Sequence, residues 1–313
     1  MIVTLAGGVG AAKFLSGLVQ LIPPEELTVI VNTGDDAEFY GLHVSPDVDI
    51  VTYTLAGVVD PERGWGVRGD TFACLNALGA FGYETWFQLG DRDLATHIHR
   101  TYLLRQGQTL SEITAAIARS LGLRTRLLPM SDQWVETHIV TPAGTLPFQE
   151  YMVQRRAADP VEGVIFAGAT EAMPAPGVLE AVSGARGVIV CPSNPIISIG
   201  PILAVPGIRA ALRATAAPVV AISPIVAGAA LKGPAAEMLR GLGHECSAYG
   251  VAALCRDVVD VFILDQADAA LRDRIARLGM RVVVANTVMA GPAEKRALAA
   301  VALQALQTQT KQG

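Results

Sequence analysis

Four aspartates crowd one short stretch of the sequence: Asp35 and Asp36 side by side, then Asp47 and Asp49. Adjacent carboxylates repel each other unless a cation or hydrogen-bond donors compensate. The first pair closes Val31-Asn32-Thr33-Gly34-Asp35-Asp36, directly after an apolar run that reads as a strand. The second lies in Leu42-His43-Val44-Ser45-Pro46-Asp47-Val48-Asp49. Hard carboxylate oxygens together with a phosphate ligand are what Mg²⁺ uses, so at least two of the four are candidate metal ligands. The plainer alternative is an exposed acidic loop of Asx-turns.

A phosphate would find its partners in Leu5-Ala6-Gly7-Gly8-Val9-Gly10-Ala11-Ala12-Lys13, where a strand runs into glycines and then a helix. That geometry aims backbone N–H groups and a helix N-terminus at an anion. The spacing is close to GxGxxG, but Lys13 stands where the third glycine would be, and no GxxxxGK[ST] loop is present. Tight helix-on-strand packing is the alternative; a lysine in the first helical turn favours the phosphate. Arg63-Gly64-Trp65-Gly66 and Leu89-Gly90-Asp91-Arg92-Asp93 come next. The second reads as following a strand, with Arg92 either an anion clamp or a member of a local ion pair. Cys191-Pro192-Ser193-Asn194-Pro195 and Ser223-Pro224, with Lys232-Gly233-Pro234 beyond, offer hydroxyl, amide, N–H and one lysine without acids. Such loops hold a phosphate or a base edge, or are simply proline-rich turns. These residues together indicate a Mg²⁺-dependent nucleotide or phosphate enzyme.

Alternating elements are expected to position them. Predicted strands are Ile2–Ala6, Leu27–Asn32, Thr85–Leu89, Val164–Ala167, Gly187–Cys191, Val219–Ser223, Val259–Leu264 and Arg281–Asn286. Helical patterns lie between them, as at Ala11–Leu21, Asp70–Phe81, Leu110–Leu121, Pro234–Leu242 and Ala267–Leu278. This is an α/β pattern, a Rossmann-like, mostly parallel sheet flanked by helices on both faces. In such sheets ligands bind beyond the carboxyl ends of the strands, which is where the polar motifs fall. The expectation is one domain over residues 1–313. Residues 91–160 read as a mainly helical insertion or subdomain with a possible antiparallel pair, Trp134–Thr141 and Thr145–Val153.

Composition narrows the class. The chain has 313 residues, 51% hydrophobic and 17% charged, which excludes disorder, and a net charge of −5, which argues against nucleic acid. Gly187–Ile208 and Ala214–Leu231 are free of charge over membrane-spanning lengths, but they carry four and two prolines, so buried strands fit better than lipid-spanning helices. No signal peptide is read at Met1-Ile2-Val3-Thr4-Leu5, and a soluble, cytoplasmic protein is expected. Cys74, Cys191, Cys246 and Cys255 form no CxxC pair and read as buried free thiols. His97 and His99, two apart, would diverge on a helix and are not a metal pair.

Taken together, the segments resemble the 2-phospho-L-lactate transferase family (CofD, FbiA in actinobacteria) of coenzyme F-420 biosynthesis. The resemblance spans nearly the whole chain. It rests on the motifs above, on Leu94-Ala95-Thr96, on Pro129-Met130-Ser131-Asp132, and on Ile196 to Leu203 after the Pro192-Ser193-Asn194-Pro195 loop. It implies transfer of a phospholactate, phosphoenolpyruvate or 3-phosphoglycerate unit from a guanosine diphosphodiester donor to the ribityl hydroxyl of the deazaflavin Fo. GMP would leave, (dehydro)coenzyme F-420-0 would form, and Mg²⁺ would assist. By resemblance, Asp49 contacts Fo or the metal, and Arg92 contacts Fo or the transferred phosphate. Asp35 and Asp36 are candidates for the metal or for taking the ribityl proton, with Asp35 and Asp49 as the metal pair. Gly8, Gly10 and Lys13 lie near the donor diphosphate, while Ser193, Asn194, Lys232 and Gly233 seat the guanosine. The family's tendency to dimers makes a homodimer the expected assembly.

One departure is visible: Ala227 stands where the family usually has another glycine. Two rivals remain. A non-enzymatic, nucleotide-sugar-binding regulator of the gluconeogenesis-factor (YvcK-like) branch shares the fold, but the Asp35–Asp49 and Leu89–Thr96 segments fit the transferase better. An NAD(P)-dependent oxidoreductase is suggested only by the glycine loop, and Lys13 counts against it.

Overall fold

The computed structural model describes residues 1–308. Seven short strands rich in β-branched residues form its central sheet: β1 Ile2–Ala6, β2 Leu27–Val31, β3 Arg126–Pro129, β4 Gly187–Val190, β5 Val219–Ile222, β6 Val261–Asp265 and β7 Arg281–Ala285. Runs such as IVTLA, LTVIV and VFILD are buried at every position, because a parallel sheet covered on both faces has no polar side. All pairings are parallel, in the order β7-β6-β5-β4-β1-β2-β3. Strand order therefore runs outward from β1 in one direction and from β4 in the other. That reversal is the switch point of a Rossmann-like fold, and it opens a crevice at the carboxyl ends of β1 and β4.

Each face has its own apolar core. On one side helix α1 (Gly8–Leu18) and helix Pro292–Gln307 pack against each other over the sheet. On the other, helices Val178–Ser183, Ile208–Ala214 and Ala248–Cys255 contribute Val178, Ile208 and Val251. Between β2 and β3 the chain makes a long excursion. It carries the hairpin strands Ala37–Phe39 and Leu42–Val44, then helices α2 (Pro46–Leu55), α3 (Ala73–Ala80), α4 (Asp93–Arg105) and α5 (Leu110–Ser120). Helix α5 begins with a full capping box, Thr109 with Glu112.

Several expectations need correction. Thr85–Leu89 forms no strand: Phe87 stacks on Phe39 at 4.0 Å with Trp86 edge-on, so these aromatics roof the 37–44 hairpin instead of joining the sheet. The sheet position belongs to Arg126–Pro129, a short edge strand whose terminal proline hides its character. Val164–Ala167 is extended but pairs antiparallel with Glu136–Thr141, which also pairs with Gly144–Pro147, in a separate three-stranded sheet. Residues after Pro147 turn into a single π-helical turn, Glu150–Gln154. The helix expected at Ala267–Leu278 divides into a 3₁₀ segment, Gln266–Leu271, and helix Arg272–Ala276. Only Cys191 of the four free thiols is buried, and Cys74 is exposed. No helix among the described residues is long and apolar enough to cross a membrane.

Candidate functional site

The glycine loop sits at the crevice, and close approach dictates its composition. A Cβ on Gly7 would lie 2.7 Å from Asp47 Oδ2, and one on Gly10 would lie 2.2 Å from the Pro192 carbonyl. The loop after β1 thus touches both the aspartate cluster and the loop after β4. Gly8 opens α1, and its N–H hydrogen-bonds Asp47. Lys13 is exposed on α1, one turn further along.

All four aspartates are at most 5% exposed, so the exposed acidic loop is ruled out. The reason is helix α2, whose first turn starts at Pro46 and carries Asp47 and Asp49 under the loops. Asn32 Nδ2 donates to Asp47 Oδ2 (2.9 Å) and to the Ile197 carbonyl (3.2 Å), tying the end of β2 to α2 and to the loop after β4. Burial pushes the Asp47 carboxyl up to about 7, with Asn32 and the Gly8 N–H opposing and Asp36 assisting. Burial, with Asp47 and Asp36 close by, holds the Asp35 carboxyl well above the usual range, and its Oδ1 has no hydrogen-bond partner. Burial also raises Asp36, against the pull of His43 and Ser45. Its Oδ2 accepts from Ser45 Oγ (2.7 Å) and pairs with His43 Nε2 (2.8 Å), while Oδ1 is partnerless.

Asp49 lies elsewhere. Both its oxygens bind the Arg100 guanidinium, with His97 Nδ1 3.7 Å away. Asp93 receives the Tyr53 hydroxyl at 2.7 Å and has His97 Nε2 at 3.3 Å. A buried polar network therefore clamps α2 to α4, and both Asp49 oxygens, expected to serve a metal with Asp35, are engaged by Arg100. Asp47 lies close enough to Asp35 for its charge to raise the Asp35 carboxyl. Among the described residues no three His, Cys, Asp or Glu side chains converge as a complete metal cage. Two carboxylates, one with an orphaned oxygen, do suit an ion that takes its remaining ligands from phosphate and water, as Mg²⁺ does. His97 is buried and His99 exposed, so they point apart as expected.

Arg92 is exposed where α4 begins. Its Nη1 donates to the Arg68 carbonyl (3.0 Å) and its backbone N–H to Asp70 Oδ1 (2.7 Å). The flanking Asp91 is spent on the N–H groups of Ala73 and Cys74, at the start of α3. Among the described contacts the Arg92 charge has no carboxylate partner, which fits an anion clamp better than a local ion pair.

Beyond β4, Ser193 Oγ is buried without a partner, whereas Asn194 Oδ1 accepts from the Ile196 N–H (2.9 Å) and shapes its own turn. Asn194 Nδ2 reaches Met238 Sδ (3.5 Å), in the helix that follows Lys232-Gly233-Pro234. Lys232 and Gly233 lie on an exposed bend. A cavity of about 370 Å³ adjoins this loop, lined by Ser193, Pro195, Ile199, Phe166 and Pro224 among others. A second, of about 180 Å³, lies beside the loop after β2. The partnerless buried atoms of Thr33, Asp35, Asp36, Thr137 and Ser193 all belong to segments around these strand ends. Sequence reasoning passed over Asn32, Thr33, His43, Ser45 and Arg100 as site components, and left Asp47, one of the four candidate aspartates, out of the metal pair. Only Ser45-Pro46, a helix-start signal, could have shown that Asp47 turns inward.

The family model described as "2-phospho-L-lactate transferase CofD" matches residues 2–303. A 2-phospho-L-lactate transferase of Methanosarcina mazei is 39% identical over 303 residues, covering 97% of this chain and 99% of that protein. A phosphoenolpyruvate transferase of Streptomyces griseus is 44% identical over 312 residues, covering 98% and 97%. A UPF0052-family protein from Bacillus halodurans shares the fold, with a TM-score of 0.61 at 17% identity over 96% of this chain and 98% of that one.

Proposed function

The chain belongs to the 2-phospho-L-lactate transferase CofD family, and on that premise we propose that it transfers a three-carbon phospho-acid from a guanosine diphosphodiester to the terminal ribityl hydroxyl of Fo. The acceptor oxygen forms a bond to the phosphorus that bears the organic acid. The bond from that phosphorus to the oxygen of the GMP moiety breaks, and GMP departs with the electron pair. No enzyme-bound intermediate is required.

The observation that carries this reading is the gathering of partnerless buried polar atoms on Thr33, Asp35, Asp36 and Ser193 at the strand ends beside the switch point. Leaving such atoms unsatisfied costs about 1–3 kcal/mol each, a cost that ligands remove. The Gly8–Gly10 loop and the N-terminus of α1 receive the donor diphosphate, with Lys13 and Arg92 adding positive charge. Ser193 and the Lys232-Gly233 bend flank the guanosine, and the 370 Å³ cavity gives a planar base an apolar slot. Asp35 and Asp47 hold Mg²⁺, which when bound offsets charge on the diphosphate. Asp36, already high in its proton affinity, takes the proton of the attacking hydroxyl.

The test is a mass-spectrometric assay with Fo, Mg²⁺ and each of the lactyl, enolpyruvyl and glyceryl guanosine donors. GMP release matched by a phospho-acid adduct of Fo is the expected result and names the donor. Tight nucleotide binding with no product from any donor would instead place the chain with the non-enzymatic, nucleotide-sugar-binding regulators.

A further inference from the structure

Resting on the reading of Asp35 as a holder of Mg²⁺, we propose that Gln149 is a positioning residue for that carboxylate, carried by the three-stranded antiparallel sheet that follows β3. Gln149 is buried, and its Nε2 donates to the Asp35 carbonyl at 2.9 Å, across 114 residues of sequence. The same small sheet holds the carbonyl before it: the Thr137 N–H donates to the Gly34 oxygen at 2.7 Å. Successive peptide carbonyls of the turn after β2 are thus fixed from outside the turn.

The turn fixes further groups itself. The Gly34 N–H donates to Asn32 Oδ1 (2.8 Å), and the Asp36 N–H donates to the Thr33 carbonyl (3.2 Å). The small sheet presses closely here, since a Cβ on Gly34 would lie 2.8 Å from Pro201 Cβ and 2.9 Å from Thr137 Oγ1. With the main chain held, Asp35 keeps only its side-chain torsions, and its buried Oδ1 has no hydrogen-bond partner. A carboxylate oriented in this way loses little freedom on meeting a cation, which is how partners behind a ligand raise metal affinity.

Local sequence explains why Gln149 faces inward. Phe148 before it and Tyr151 after it are both sunk in the apolar core on that face of the central sheet. The chain then widens into the π-helical turn Glu150–Gln154, a form that often marks functional sites. The Ala157 N–H donates back to the Tyr151 carbonyl (2.8 Å), and Arg156 (φ +55°) and Ala157 (φ +52°) both stand in the left-handed region. Residues with a Cβ avoid that region, and the strain persists only where surrounding contacts over-determine the backbone.

Calorimetric titration of Mg²⁺ into protein saturated with GDP tests the assignment, alongside GDP binding in EDTA. Gln149→Met keeps the length of the side chain and removes its donor. It is expected to weaken Mg²⁺ binding about 10-fold, with GDP affinity in EDTA unchanged. Gln149→His, whose Nε2 can replace the amide nitrogen, should recover most of that loss. Gln149→Asn, one methylene short of the carbonyl, gives a second variant without the contact should methionine perturb folding. Leu146→Ala, in strand Gly144–Pro147 of the same small sheet, removes apolar packing and no hydrogen bond to the turn. It should lower the melting temperature and leave Mg²⁺ affinity as in wild type. Mg²⁺ affinity in both Gln149→Met and Gln149→Asn equal to wild type, or an equal loss in Leu146→Ala, overturns the positioning role while transfer itself stands. Wild-type protein that binds no Mg²⁺ with GDP also overturns it, and if that protein transfers nothing to the acceptor, the proposed reaction falls as well.

Discussion

Burial pushes the Asp47 carboxyl up to about 7, although Asn32 and the Gly8 N–H both favour its charged form. The folded chain therefore binds this proton more tightly than the unfolded chain, whose carboxyl titrates near the ordinary 3.8. The stabilising contribution is complete below 3.8, falls as pH rises from there, and is gone above about 7. Ligand-free protein should accordingly melt at a lower temperature at pH 8 than at pH 5.5, a difference that Asp47→Asn should reduce. The same ionisation favours Mg²⁺, so metal affinity should climb over the window in which apo stability declines; calorimetric titration with Mg²⁺ and GDP at both pH values checks it. Ala227 has φ +50° and Gly228 φ +74°, the two central residues of a hairpin joining Ile225–Val226 to Ala229–Ala230. A turn with both residues left-handed suits Asn-Gly or Gly-Gly, and the methyl of Ala227 crowds its own backbone. The Ala227 N–H is held by Asp268 Oδ2 (3.0 Å), which keeps the strained form in place. Ala227→Gly should raise stability by about 1 kcal/mol in urea unfolding, since relief of the left-handed strain outweighs the extra chain entropy of glycine.

Helices α2 and α4 meet through charge in place of an apolar seam. Arg100 is fully buried, and its partner Asp49 belongs to the neighbouring helix. Removing one member of a buried pair strands the other, so Arg100→Ala should cost about 3–5 kcal/mol in denaturant unfolding. Exchanging both for apolar residues, as in Arg100→Met with Asp49→Leu, should cost much less, because no charge is left uncompensated. Were Asp49 a metal ligand, the double variant would lose Mg²⁺ affinity outright even with its fold intact. This clamp also marks the limit of what the sequence can convey. Strands such as Ile2–Ala6 and Leu27–Val31 declare themselves through continuous apolar runs, and the glycine loop through its position after the first of them. The aspartate cluster is equally visible as a cluster, but which carboxylate faces a ligand depends on pairing across 51 residues, Asp49 to Arg100. No local pattern encodes that contact. Thr85–Leu89 fails for the opposite reason: its aromatic content suits a strand, yet its neighbours are Phe39 and the hairpin. Arg126–Pro129 hides because its role as an edge strand rests on β2 alone.

At the scale of the whole molecule, the chain crosses once from β3 to β4 and so divides the sheet into two halves that meet at β1 and β4. The first half supplies Gly8, Asp35, Asp36 and Asp47; the second supplies Ser193 and the Lys232 bend. A nucleotide lying across the junction must touch both, so binding is coupled to how closely α1 approaches the loop after β4. Gly10 sets that distance, since any Cβ there would meet the Pro192 carbonyl at 2.2 Å, and a backbone carbonyl cannot swing aside as a side chain can. GDP with Mg²⁺ at 100 times its dissociation constant should stabilise the wild-type fold by about 2.7 kcal/mol, and EDTA should withdraw the metal's share of that shift. Gly10→Ala forces the two loops apart at a cost of about 1–3 kcal/mol. Its more telling effect should be on linkage: the variant stays folded, yet its melting temperature no longer responds to the nucleotide. A Gly10→Ala protein that melts lower but gains the full wild-type shift would mean that the nucleotide rests on one half of the sheet alone.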